Sequence, residues 1–293
     1  MESIVAPSTK YSLSAEVGRL PPSTRLLSRG KFDVFLISGK EYPTLLFEIG
    51  RLREITFRAA GEGSGKAIDI DTFDDYYLNL FLWDREAEQI AGGYRLGPGA
   101  DIFPTNGVAG FYLNSLFEIR GGFHPYLKAS VELGRSYISE KYQRGYLPFF
   151  LLWSGILVYL LHNPGYQYLI GPVSISKYYS EISKSVIVSF VKKFFYDEEL
   201  AVHFTPRTPY YPNIEDIDFG RLESDKIRDL ESFLSEIEPT HIKVPMLIRQ
   251  YTKMKACFVS FNLDPDFSDV LDGLMVLDIR NIPPEIMQLL KEK

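Results

Sequence analysis

Cysteine is nearly absent from these 293 residues, with Cys257 alone. A single thiol excludes an internal disulfide and fits a reducing compartment. Its setting, Lys255-Ala256-Cys257-Phe258-Val259, reads as a buried strand residue and not a nucleophile. Excess positive charge is also lacking: the formal net charge is −6, which argues against broad affinity for nucleic acid or anionic lipid. Histidine is sparse. His124, His162, His203 and His241 are scattered without the paired spacing of a zinc site, so no metal is expected. Arg135-Ser136-Tyr137 does not complete a Gly-x-Ser-x-Gly elbow, which removes the main serine-hydrolase signature. No apolar run reaches the ~18–20 residues that span a bilayer, and residues 1–30 lack a signal-peptide pattern. The longest run, Leu147–Leu161, contains Ser154 and Gly155 and reads as a helix buried in the core. The expected location is the cytoplasm, or the periphery of the inner membrane face.

What the chain does have is aromatic material: 21 Phe and 19 Tyr, enough for a large core and an apolar pocket besides. Residues 1–30, rich in Pro, Ser and Thr, read as an arm or linker before one domain over 31–293. Within that domain, Phe32–Ser38 is a predicted strand and Pro43–Ala60 a helix whose Leu45, Leu46, Ile49, Leu52 and Ile55 form one face. Tyr76–Trp83 and Gln89–Leu96 form a predicted antiparallel hairpin. Strands at 131–139 and 166–175 flank the apolar helix. A helix over 180–196 precedes an irregular and helical insertion near 197–250, and two strands follow at 256–261 and 273–279. The element order predicts an α/β (α+β) fold with much antiparallel pairing.

The centre of this scheme is Val131–Leu161, a strand feeding a helix through the polar turn Glu140–Gly145. Pro148 suits the first turn of that helix, and His162-Asn163-Pro164-Gly165 ends it. A strand–loop–helix of this kind presents backbone N–H groups to an anion such as phosphate. Arg135, Gln143, Arg144 and Gly145 stand at the junction and could grip one; they could equally be ordinary surface charge. Glu132 lies mid-strand among Val131, Leu133 and Tyr137, where a carboxylate is costly without a task or a partner. It is either a general base or one half of a salt bridge with an arginine such as Arg135. Asp69, Asp71, Asp74 and Asp75 are the densest acidic cluster. The glycine and glutamate of a calcium loop are missing, leaving an amine-binding site or a solvated loop. Gly61-Glu62-Gly63-Ser64-Gly65 lacks the strand–loop–helix context of a nucleotide-binding loop.

Taken in order, several segments resemble one family. They are Arg51-Leu52-Arg53 with Phe57-Arg58 and Glu62, Asp69-Ile70-Asp71-Thr72-Phe73-Asp74, and Gly92-Gly93-Tyr94-Arg95-Leu96. Glu132-Leu133-Gly134-Arg135-Ser136, Leu152-Trp153-Ser154-Gly155-Ile156, Gly171-Pro172-Val173-Ser174-Ile175-Ser176 and Asp264-Pro265-Asp266-Phe267 with Leu271-Asp272 complete the set. The chain resembles the long-chain N-acyltransferases of the GNAT superfamily, the hemolysin-like ornithine-lipid and N-acyl-amino-acid synthases, with acyl-homoserine-lactone synthases as distant relatives. The resemblance implies transfer of a long, commonly 3-hydroxylated acyl chain from acyl carrier protein (or acyl-CoA) to the α-amine of an amino acid such as ornithine or glycine. It implies no tightly bound cofactor, and a partner or fused O-acyltransferase that acylates the product again.

The implied fold is a mixed sheet, flanked by helices and splayed between its fourth and fifth strands, here 131–139 and 166–175. The implied catalytic residues are Glu132, Arg135 and Ser136. Gln143, Arg144, Gly145 and Trp153 would serve the acyl donor; Arg51, Arg53, Glu62, Asp69, Asp71, Asp74 and Arg95 would serve the acceptor. Two departures stand out. Tyr146 and Leu147 replace the small residues of a coenzyme A diphosphate loop, which fits the single phosphate of a carrier protein better. Asn79 stands where many relatives carry histidine. The rival readings are an acetyl-CoA-dependent N-acetyltransferase acting on a small amine, and a non-catalytic module binding acyl chains or carrier protein.

Overall fold

A computed structural model describes residues 1–215, 217–237 and 243–291. His241 and part of the expected 197–250 insertion lie outside the described residues. In chain order the elements are α1 (Lys10–Val17), β1 (Arg25–Arg29), β2 (Phe32–Ser38), α2 (Pro43–Ala60), β3 (Leu78–Asp84), β4 (Gln89–Pro98) and α3 (Gly99–Asn106). There follow α4 (Leu113–Leu116), β5 (Phe117–Ile119), α5 (His124–Lys128), β6 (Ser130–Ile138), α6 (Leu147–His162), β7 (Tyr168–Ile175) and α7 (Glu181–Phe194). The remainder are α8 (Glu198–Ala201), β8 (Phe204–Pro206), α9 (Ile227–Ile237), α10 (Met246–Lys253), β9 (Cys257–Asp264), β10 (Val270–Asp278) and α11 (Pro284–Lys291). Eight strands form one sheet in the order β1-β2-β3-β4-β6-β7-β10-β9, and β5 pairs with β8 beside it.

The fold is therefore mixed α/β with a large, mostly antiparallel sheet, as expected. The hairpin β3–β4 is present, with Leu78 opposite Leu96. The one parallel pair among the described strands is β6–β7, and it is short: Ser130, Val131 and Glu132 face Tyr168, Leu169 and Ile170. Beyond Glu132 the two strands part. β7 stays with β10 as far as Ile175 opposite Leu271, while β6 stays with β4 as far as Ile138 opposite Gly92. This is the expected splay. Gly171 sits at its apex, where an added Cβ would lie 2.2 Å from the Leu133 carbonyl oxygen. On the β4 side, Gly93 pairs with Tyr137 and Arg95 with Gly134, so β6 carries one extra residue. Arg135, at φ +50°, takes up that bulge.

Packing explains why the elements lie where they do. α6 is apolar because its length between the exposed ends Leu147 and Leu161 is covered: Leu152, Trp153 and Ile156 join Val34, Leu80, Leu82 and Val131 in the principal core. Gly155 lets it approach β2 closely, since a Cβ there would meet Val34 Cγ1 at 2.6 Å. α2 covers the other face with Leu45, Ile49 and Phe57 against Phe35, Ile37, Phe81 and Trp83. Each such side chain contributes roughly 1.5–3 kcal/mol on full burial. α2 starts at Pro43 and stops at Gly61, which takes the left-handed φ of +75° that ends helices readily.

Three expectations change. Residues 1–30 are built into the structure and are no free arm: β1 is the edge strand beside β2, and Leu13 of α1 is buried. Glu16 of α1 accepts from the Thr44 and Leu45 N–H groups, capping α2 through space. Residues 97–110, whose glycines and prolines carry the signature of a loop, hold the end of β4 and α3. The last two strands are longer than expected, which moves Asp264 and Asp272 out of a loop and into paired backbone.

Candidate active site

The parting of β6 and β7 opens a cleft of about 410 Å³. Its floor is Leu133, Gly134, Arg135 and Ser136 on one side and Pro172, Ser174 and Ser176 on the other. On the α6 face the wall is aromatic and apolar: Tyr94, Met246, Leu247 and Tyr251. On the α2 face it is polar, with Glu62, Tyr112, Asp264 and Asp272 beside Phe267. A gap with one greasy and one acidic wall suits a reaction between an acyl chain and a cation.

The Tyr94 hydroxyl accepts from the Trp153 indole N–H at 3.3 Å and lies beside Ser136 and Tyr251. Trp153 is itself fully buried and lines no part of the cleft, which its partner Tyr94 does.

The expected acceptor residues form an ion-pair chain. Arg53 meets Asp74 at 2.9 Å, and Arg95 meets Asp74 at 3.1 Å and Asp71 at 2.5 Å. Arg135 meets Asp71 and Asp69, each at 3.0 Å. Three aspartates alternate with three arginines, so none of these carboxylates is spare for an amine. Burial alone would raise the Asp74 carboxyl, but Arg53 and Arg95 outweigh it and hold it at about 2. The chain's end, Arg135, reaches the cleft with its guanidinium 4.7 Å from the Tyr112 ring and 4.4 Å from the Phe267 ring. Burial would lower the Arg135 pKa, yet Asp69, Tyr112 and Asp71 together raise it. Arg51 stands apart, paired with Glu48 at 2.6 Å. Asn79 accepts from Arg53 at 2.5 Å and so belongs to the same network.

Glu132 is 1% exposed and is not part of the cleft wall. One carboxylate oxygen accepts from the Tyr77 hydroxyl at 2.5 Å, the other from the Leu113 N–H at 2.9 Å. Burial pushes it up to about 7, with both hydrogen bonds opposing. It thus lies one layer behind Tyr112, tying the 111–113 turn to β6.

Three other carboxyls line the cleft directly, Glu62, Asp264 and Asp272. Glu62 has no hydrogen-bond partner among the described residues, and burial raises it to about 7. Burial raises Asp272 to about 8 against the hydrogen bond from Ser174. In the sequence Asp272 stands out only as the end of the Asp264–Asp272 motif. The signal was there: an acid inside Val270-Leu271-Asp272-Gly273-Leu274, the same oddity that flagged Glu132.

Gln143, Arg144 and Gly145 are exposed at the α6 N-terminus and do not line the cleft. Gln143 Nε2 donates to the Ile138 carbonyl at 2.8 Å, and Gly145 holds a φ of +152° that favours glycine. Cys257 keeps its strand role: its thiol lies 3.4 Å from the Val276 carbonyl oxygen, and burial pushes it up to about 12. No helix among the described residues is long and apolar enough to cross a membrane.

Comparison with known proteins bears on this geometry. Residues 52–153 match the family described as an acetyltransferase (GNAT) domain. The chain is 31% identical over 292 residues to the glycine N(alpha)-acyltransferase of Bacteroides thetaiotaomicron, covering 94% of this chain and 86% of that protein. It is 30% identical over 300 residues to the glycine N(alpha)-acyltransferase of Phocaeicola vulgatus, covering 96% and 90%. Among solved structures it is similar to the CoA-dependent acyl-homoserine lactone synthase BjaI with SAM and isopentyl-CoA, at TM-score 0.45 and 12% identity over 87% of this chain and 85% of that chain. The synthase MesI aligns at TM-score 0.42 and 11% identity, covering 88% and 93%.

Proposed function

Because the chain belongs to the GNAT-type N-acyltransferase family of these two glycine N(alpha)-acyltransferases, we propose that it joins a long acyl chain to the α-amine of glycine. The observation that carries this reading is the splay, a cleft apolar on the α6 face and acidic on the α2 face. The acyl thioester enters between β6 and β7 and lays its chain against Tyr94, Leu133, Met246 and Tyr251. The amine approaches from the side of Glu62 and Asp272. Its nitrogen attacks the thioester carbonyl carbon, the C–S bond breaks, and the thiol leaves.

The β6 bulge supports the site of attack. Where a strand carries an extra residue its ladder is interrupted, leaving a peptide N–H to meet the carbonyl oxygen as charge builds there. Arg135 is anchored by two aspartates at that bulge, so the floor under the reacting atoms is fixed before substrate arrives. Glu132, with both oxygens already engaged, is a positioning residue for Tyr77 and Tyr112 in this reading.

The donor is acyl carrier protein. Tyr146 and Leu147, 67% and 46% exposed, follow Gly145 where a coenzyme A diphosphate would require small residues, and Arg144 suits one phosphate. The product, an N-acylated amino acid, is a single-chain amphiphile released at a membrane surface. A 3-hydroxyl on its chain is the group an O-acyltransferase would use next.

Purified protein is tested with 3-hydroxyacyl carrier protein, the matching acyl-CoA and acetyl-CoA, each offered with glycine and with ornithine. The expected result is N-acylglycine by mass spectrometry with the carrier-protein donor. Acetyl transfer alone would favour the small-donor reading, and no product from any pair would overturn the proposal.

A further inference from the structure

Two carboxylates sit mid-strand in the sheet, Glu132 on β6 and Asp272 on β10, and their surroundings are opposite. Glu132 is saturated by Tyr77 and Leu113 and turned away from the cleft. Asp272 is 3% exposed and forms part of the cleft wall. Its Oδ1 accepts from Ser174 Oγ at 2.6 Å, and its Oδ2 accepts no hydrogen bond among the described residues. A buried carboxylate oxygen left open to a cavity is costly unless a ligand completes it.

The charges around it specify that ligand. Asp272 lies opposite Ser174 of β7 and Asn262 of β9 in the ladders. Asp264 faces it from the end of β9, Glu62 from the end of α2 and Arg135 from β6. Tyr112 stands between, donating its hydroxyl to Asp264 Oδ2 at 2.9 Å. Arg135 is the one cation of this group, and Asp69 and Asp71 already engage it. Three acids therefore share a wall without a cation of their own. An ammonium completes that set, and the acceptor amine is an ammonium at neutral pH.

We propose that Asp272 is a catalytic residue that receives the acceptor's ammonium and takes its proton, with Ser174 as the positioning residue that fixes the carboxylate. The inference rests on the N-acyltransfer reading above. The ammonium gives one proton to Asp272, and the freed lone pair bonds to the thioester carbonyl carbon. The carbonyl π electrons move to oxygen and return as the C–S bond breaks. The thiolate leaves with the second proton from nitrogen, and Asp272 releases its own to solvent as the amide departs. Burial pushes the Asp272 carboxyl up to about 8, with Ser174 opposing and Asp264 and Glu62 adding to the rise. A base poised near the working pH both accepts the proton and gives it up again.

The test is the pH dependence of kcat with an acyl carrier protein donor and glycine, for the wild type and for Asp272→Asn, Ser174→Ala and Glu132→Gln, each checked for a native melting transition. The wild type should show an ascending limb near pH 8. Asp272→Asn should lose ~100-fold or more in kcat, together with that limb. Ser174→Ala removes the hydrogen bond that favours the ionised form, so its limb should move to higher pH; a purely structural role would not shift it. Glu132→Gln should keep the limb. Retention of rate and limb in folded Asp272→Asn would overturn the assignment, as would loss of the limb in Glu132→Gln alone. Should Asp272→Asn fail to fold, an unmoved limb in Ser174→Ala overturns it. Absence of any N-acyl product from the wild type would instead defeat the transfer reading itself.

Discussion

Arg95 is 1% exposed, bonded to Asp71 and Asp74 and packed against the rings of Phe73, Tyr77 and Tyr112. Such an arginine is worth little as an isolated ion pair, because its own desolvation offsets the attraction. Its removal is another matter, since the buried Asp74 would keep Arg53 as its one cation and Asp71 would keep Arg135, with a void between them. Arg95→Ala should therefore cost about 3–5 kcal/mol in denaturant unfolding, well above an exposed arginine such as Arg19. Glu132 follows the same logic with neutral donors. Glu132→Ala strands the Leu113 N–H, worth roughly 1–3 kcal/mol when unpaired, and leaves the Tyr77 hydroxyl the Gly110 carbonyl at 3.4 Å as its acceptor, whereas Glu132→Gln keeps an acceptor for one of them. Unfolding midpoints for the two variants should differ accordingly; equal midpoints would mean that the 111–113 turn is not held through Glu132.

At the scale of elements, the decisive feature is where β7 leaves β6. Gly171 lies against the Leu133 backbone, and a Cβ there has only 2.2 Å to the carbonyl oxygen. Backbone cannot swing aside as a flexible side chain can. Gly171→Ala should push the strands apart at the apex, costing ~1–3 kcal/mol and reducing turnover beyond what partial unfolding explains. A variant with wild-type kcat would show that the apex tolerates a wider splay than its packing suggests. The same region shows what a sequence can reveal. The strand at 131–139, the polar turn and the apolar helix were legible because their periodicities and boundary residues act locally. α3 was not, since Pro104 and the flanking glycines gave a loop signal that packing overrides. β1 was hidden too, because Arg25, Ser28 and Arg29 are exposed at a sheet edge and carry no alternation strong enough to read. Site residues divided in the same way. Glu132 could be recognised as unusual, but its saturation by Tyr77 and Leu113 depends on contacts 55 and 19 residues away along the chain.

For the whole molecule, the buried carboxyls set opposing responses to pH. Asp74 is held at about 2, below the usual carboxylate range, so the stability it contributes is present above about pH 4 and lost as pH falls through 2. Glu62 and Glu132 at about 7 and Asp272 at about 8 act in the other sense. Between pH 4 and those values the native state holds more protons than the unfolded chain, so their contribution is fully present below the unfolded pKa and is lost as pH rises through 7 and 8. Among these groups the balance places greatest stability near pH 4–5, more acidic than the neutral pH at which an acyl transfer would run. The cleft thus keeps its acids at the expense of fold stability. Asp272→Asn isolates one of them, because the amide mimics the protonated form at every pH. Melting curves should show the variant gaining on the wild type from pH 5 to pH 8, on the order of a few kcal/mol, as the wild-type carboxyl is forced to ionise in the sheet. A constant gap across that range would mean that Asp272 ionises as freely in the folded chain as in the unfolded one, and its surroundings would then be wetter than the 3% exposure implies.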